Sequence, residues 1–201
     1  MIVRTASHHD LDAYAAIQLS EWGEAMAAPR AQLESRLAVF PEGMLVAEDG
    51  GEVVAGASFM RLASYELYDR LSWNDVTADG WCTNHVPDGP VLYGVDLSVS
   101  RYAPRATTAR VFSAGLELTM RLGVEGVYWG SRLPRYYKYA SSMTPGEYLR
   151  ARTSTGRFLD PELELYSKVP GVEVLGIVPE YFKDWESGDF GAILCWRNPL
   201  I

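Results

Sequence analysis

Arg101, Arg105, Thr107 and Thr108 crowd into one short turn between an apolar run and an amphipathic stretch. The run Val91–Val99 suits a strand buried on both faces. Beyond the turn, Val111, Leu116, Leu118 and Leu122 recur near helical spacing, and Gly123 is placed to end that helix. A strand, a basic turn and a helix start together present free backbone N–H groups to an anion such as phosphate. The same unit also occurs without any ligand at its turn, so both readings stand. His85, just ahead of the strand, titrates near neutrality and suits proton transfer. Asp96, two positions after Gly94, and Asp75 are alternative bases; Asp96 also suits a structural carboxylate held by backbone amides. Arg132 can grip a carboxylate or phosphate with two parallel N–H groups, or make an internal ion pair. Cys82 shows neither a helix start nor an adjacent base, which disfavours a nucleophilic role. His8 and His9 have no carboxylate or cysteine cluster beside them, so no metal site is expected.

These residues need elements to position them. Ile2–Thr5 reads as a first strand, with Asp10 as N-cap of a helix running to about Trp22. Pro29 opens a second helix with Leu33, Leu37 and Phe40 on one face. Met44–Glu48 and Val53–Met60 form a hairpin around Asp49-Gly50-Gly51, and Gly56 marks a bulge or a close backbone approach. Residues 64–90 are turn-rich, with a short helix expected over Tyr65–Leu71. Trp73, Trp81 and His85 make that segment an ordered, pocket-lining loop. A strand follows at Val124–Gly130, then short helices at Arg135–Ala140, Pro145–Arg152 (capped by Thr144) and Pro161–Lys168. The last strands are Val172–Val178 and Gly191–Trp196.

At 201 residues, one domain with a sizeable core is expected across the whole chain, 1–201. No apolar run is long enough for a membrane helix, and the first residues carry no apolar signal core. Two distant cysteines suit free thiols in a cytoplasmic protein. A net charge of −8 argues against nucleic acid as the main partner, while leaving room for a locally held anionic cofactor.

The order β, α, α, β-hairpin, β, α, β, α, β, β resembles the GNAT acyltransferase superfamily. The motifs sharpen this. SWND…GWCTNHVPDGP-VLYGVDLSVS is similar to the GNAT segment fused to carbon–nitrogen hydrolases in some bacteria. GSRLPRYYKYA, MTPGEYLRAR, LDPELELY, GIVPEYF and WRNP continue the likeness. GNAT-like domains of polyketide synthase loading modules, some of which decarboxylate malonyl groups, look similar too.

The resemblance implies an α+β fold, a mixed, mostly antiparallel sheet of about seven strands flanked by helices. It implies acyl transfer from acetyl-CoA or another acyl-CoA to a small amine or amino acid. Donation from a carrier-protein arm, decarboxylation of a thioester, and a non-catalytic binding module stand as alternatives. Leu97, Ser98 and Val99 would serve pantetheine through the strand backbone. Arg105, Thr107, Thr108 and Ala109 would serve the pyrophosphate. Trp73, Thr83, Tyr93 and Arg132 would face the substrate, with His85 or Asp96 as base and Tyr166 as acid for the departing thiolate. The family turn reads Arg/Gln-x-x-Gly-x-Gly/Ala, and Thr107 stands where its middle glycine would be. A side chain there would crowd an approaching pyrophosphate unless its hydroxyl contacts phosphate instead.

Overall fold

Alternating apolar positions build a single seven-stranded sheet in the computed structural model, which describes every residue except 67. The strands are β1 (Ile2–Thr5), β2 (Met44–Asp49), β3 (Glu52–Leu62), β4 (Val91–Val99), β5 (Gly126–Ser131), β6 (Val172–Val178) and β7 (Gly191–Arg197). Their spatial order is β1-β2-β3-β4-β5-β7-β6, and only the β4–β5 pair is parallel. The helices are α1 (Leu11–Trp22), α2 (Arg30–Val39), α3 (Trp73–Thr77), α4 (Thr107–Leu122), α5 (Pro145–Arg150) and α6 (Pro161–Tyr166). This is the expected α+β sheet with helices on both faces.

The two faces are packed by different helices. Leu11 and Tyr14 of α1 and Leu33 and Leu37 of α2 bury against Met44 and Val46 of β2. Gly56 of β3 lies under Tyr14, and a Cβ at this position would overlap the Tyr14 ring, so the close approach anticipated there is real. On the other face, α4 buries Val111, Gly115 and Leu118, spaced four and three residues apart on one stripe. Leu118 joins Trp129, Leu194 and Tyr148 in the larger core, and burying a leucine is worth about 1.5–3 kcal/mol. Gly123 ends α4 in the left-handed region, at φ 63°.

Local expectations also change, and the short helix expected over Arg135–Ala140 is a single 3-10 turn at Tyr136–Lys138. The helix expected over 65–71 includes residue 67, which lies outside the described residues; Glu66 and Tyr68–Arg70 are in turns. The helix in this segment comes later, as α3, where the Ser72 hydroxyl accepts from the Asp75 N–H. Asp10 does not cap α1 with its side chain. Its carboxylate instead accepts from Ser7 N at 2.7 Å and from Arg4 at 2.8 Å, and Arg4 also pairs with Glu48. One arginine thereby ties β1, β2 and the start of α1 together. Among the described residues, no helix is long and apolar enough to cross a membrane.

Candidate active site

The site begins where two strands part. β4 and β5 pair from Val91↔Gly126 to Gly94↔Trp129, and the ladder ends there. β4 continues to Val99 against β3, whereas β5 continues to Ser131 against β7. The β4 edge from Val95 onward therefore faces no strand on that side. A bulge fixes the departure point. Ser58 pairs with Asp96 and Phe59 with Gly94, which leaves Val95 as the extra residue. The Trp73 indole N–H donates to the Val95 carbonyl at 2.9 Å and holds the bulge from the loop side.

The gap opens into a cavity of about 740 Å³. Its floor is Gly94–Val99; α4 contributes Thr108, Val111 and Phe112; α1 contributes Gln18, Glu21 and Trp22. Glu162 and Tyr166 of α6 line it on the β5 side. They stand four residues apart, one helical turn, so both side chains share one face. Sequence reading missed Glu162. The one local signal was the four-residue spacing of Glu162 and Tyr166 on a short helix capped by Asp160, whose carboxylate accepts from the Glu162 and Leu163 N–H groups.

Glu162 is the most unusual titratable group here. Burial pushes its carboxyl up to about 7, nearby Asp160 adds to the rise, and the Ser131 hydrogen bond and Arg132 oppose it. Ser131 Oγ donates to Glu162 Oε2 at 3.0 Å. Tyr166 packs among Trp129 and Phe112, with ring centroids 5.4 and 5.7 Å away. Burial, and next to it Glu162, raise the Tyr166 phenol above its ordinary value. It therefore stays protonated at neutral pH, as a proton donor must.

Asp96 lies on the cavity floor but is saturated. Gln18 Nε2 donates to it at 2.7 Å, and the Tyr14 hydroxyl and the buried Arg36 guanidinium also bond it. Arg36 further donates to the Gly80 carbonyl at 2.7 Å, which pins the 72–90 loop to α2. The carboxylate thus closes an internal network. Arg132 is likewise committed: Nε and Nη2 reach the two Asp184 oxygens at 2.8 and 3.0 Å, and Nη2 also reaches Glu186 at 2.7 Å. Burial works against the Asp184 carboxylate, but the Arg132 fork and the Ser187 hydroxyl hold it below its ordinary range.

Other expected site residues are placed elsewhere. His85 does not line the cavity; its ring stacks on Phe40 at 4.7 Å and its Nδ1 accepts from Arg61 N at 3.0 Å. Burial, aided by Arg61, lowers its pKa. Tyr93 projects to the opposite core, where its hydroxyl meets that of Tyr181. Thr83 and Trp81 are exposed away from the cavity, so among the described residues of the loop only Trp73, Asn74 and Asp79 reach it. Thr107 is fully buried and its hydroxyl donates to Met1 Sδ at 3.1 Å. Its side chain thus points inward and neither crowds the outer face of the turn nor offers a hydroxyl there. Thr108 lines the cavity, with Arg105 and Ala109 exposed beside it. No side chain caps this end of α4. Cys82 is buried and its thiol is pushed up to about 11, which leaves it inert.

No family model matches the chain. It is 32 % identical over 200 residues to the Bacillus subtilis protein named Probable hydrolase YhcX, covering 98 % of this chain but 39 % of that protein's length. It is 30 % identical over 168 residues to the Bacillus subtilis protein named Uncharacterized N-acetyltransferase YkwB, covering 83 % of this chain and 74 % of that one. The loading GNATL domain of CurA from Lyngbya majuscula superposes over 100 % of this chain and 98 % of its own, with a TM-score of 0.87 at 21 % identity, a likeness of fold. The GphF GNAT-like decarboxylase in complex with isobutyryl-CoA superposes over 98 % and 100 %, with a TM-score of 0.85 at 25 % identity.

Proposed function

The chain belongs to the GNAT acyltransferase superfamily, and from that premise we propose that it moves an acyl group from an acyl-CoA to the nitrogen of a small amine. The observation that carries this reading is the pair on α6: Glu162, held near neutrality, one turn from the protonated Tyr166.

The open β4 edge supports a pantetheine arm. Past Val95, whose carbonyl accepts from Trp73, alternate backbone groups of β4 up to Val99 are open on the side that β5 has left, and the arm is assigned to this edge, at Leu97, Ser98 and Val99. The start of α4 supports the pyrophosphate, with free N–H groups, Thr108 and Ala109 at the turn, and the Arg105 charge at its edge. Helix-end electrostatics contribute only about 0.3–1 kcal/mol there, so the arm and acyl group must supply most of a micromolar affinity, about 8 kcal/mol. A carrier-protein arm, which lacks the adenosine pyrophosphate, suits the same edge as an alternative donor.

Glu162 accepts a proton from the incoming ammonium, and the freed amine attacks the thioester carbon. As the carbon–sulfur bond breaks, Tyr166 delivers its proton to the leaving sulfur and regains one from the new amide nitrogen. The products are an amide, a free thiol and one proton released through Glu162. General acid–base assistance of this kind contributes about 10²–10⁴-fold. Incubation with acetyl-, malonyl- and longer acyl-CoAs and an amine panel, read by mass spectrometry, tests the reading through the acylated amine.

Likeness to a GNAT-like decarboxylase supports a second reading, loss of CO₂ from a malonyl thioester. CO₂ release in the same incubation, with the amines left unmodified, would put that reading first.

A further inference from the structure

Building on acyl transfer as proposed above, we infer that the cavity selects an apolar amine that carries no carboxylate. Among the described residues, three positively charged side chains line the cavity, Arg36, Arg132 and Lys183. Arg36 is buried and occupied by Asp96, the Gly80 carbonyl and Ser58. Arg132 spends its fork on Asp184 and Glu186. Lys183 sits on the exposed rim with its ammonium on Asp189 at 2.8 Å. A carboxylate entering this space would lose hydration without meeting an unengaged cation, and buried charge without a partner is strongly disfavoured.

Glu162 is differently placed. Its hydrogen-bonded partner is the neutral Ser131 hydroxyl, and a carboxylate has room for further donors. An ammonium fits there and a second carboxylate is repelled. The adjoining wall is apolar: Phe112, Trp129 and Tyr166 contact one another, and Leu165 and Phe182 continue the lining. Aromatic faces stabilise a cation and accept a hydrocarbon body alike. The matching ligand class is a primary amine on an aryl or alkyl chain. Free amino acids and malonyl groups both carry the charge that this site leaves unmatched.

The test compares 2-phenylethylamine with phenylalanine, which adds only a carboxylate, and phenylalaninamide, which keeps the bulk without the charge. Calorimetry on the full chain with CoA present, at about pH 8 where Glu162 is ionised, measures each affinity. The expected result is that the amine and the amide bind about tenfold or more tighter than phenylalanine. Glu162→Gln should remove most of that preference. Phenylalanine binding as tightly as the amine, or no binding by either amine, overturns the inference. Amine binding that never yields an acylated product with any acyl-CoA overturns acyl transfer instead and leaves the selectivity standing.

Discussion

Ser131 and Glu162, 31 positions apart in sequence, share a hydrogen bond of 3.0 Å at the edge of the cavity. The bond favours the ionised carboxylate, whereas burial opposes it more strongly and leaves Glu162 near 7. The groups acting on it are Ser131, Asp160, Arg132 and Asp184. As a base, Glu162 works when deprotonated, so amine acylation should rise as pH passes through about 7. Glu162→Gln should cost about 10²–10⁴-fold in turnover and abolish that limb. Ser131→Ala should move the limb to higher pH by roughly one unit, because it removes a bond to the charged form. A pH–rate profile of the three proteins checks all of this, and an unmoved limb would remove Glu162 from the mechanism.

The same group should leave a mark on stability. The folded protein holds the Glu162 proton more tightly than the unfolded chain does. Stability from this group is therefore full below the ordinary glutamate pKa and is lost as pH rises toward about 7. Urea melts across this range should show that decline in the parent and a flatter profile in Glu162→Gln.

Asp96 belongs to the frame. Removing it leaves Arg36 buried without its counter-charge, and Tyr14 and Gln18 without their acceptor. Asp96→Ala should destabilise the fold by about 3–5 kcal/mol, seen as a lower urea midpoint with an unchanged slope. A variant of normal stability but altered pH–rate profile would restore Asp96 as a base.

Much of the sheet was legible in the sequence because strand alternation and turn residues are local signals. The β2–β3 hairpin, the β4–turn–α4 unit and the Thr144 cap of α5 all sit where residue types place them. The site was harder to read, because its character comes from contacts between distant segments. Glu162 looks like an ordinary solvated first-turn acid until β5 packs over it. Asp96 looks available until Tyr14, 82 positions away, closes on it. Arg132 looks free until Asp184 arrives from the β6–β7 connection. His85 looked able to reach the cleft from an ordered loop, yet Phe40 and the Arg61 amide fix it away from the cavity. Val95 is the subtlest case: a bulge is a mismatch between two strands and has no signature in either alone.

Tyr166 gives the most direct measurement of acyl transfer to an amine. Tyr166→Phe keeps the aromatic packing on Trp129 and Phe112 while removing the proton donor for the departing thiolate. CoA release and amide formation should be followed together, by thiol titration and mass spectrometry, for the parent and this variant with acetyl-CoA and 2-phenylethylamine. The expected result is one amide per CoA released by the parent, at least about a tenfold slower rate in the variant, and nearly unchanged CoA affinity. A parent that forms no amide and instead releases CO₂ from malonyl-CoA, with the variant equally active, would contradict acyl transfer to an amine.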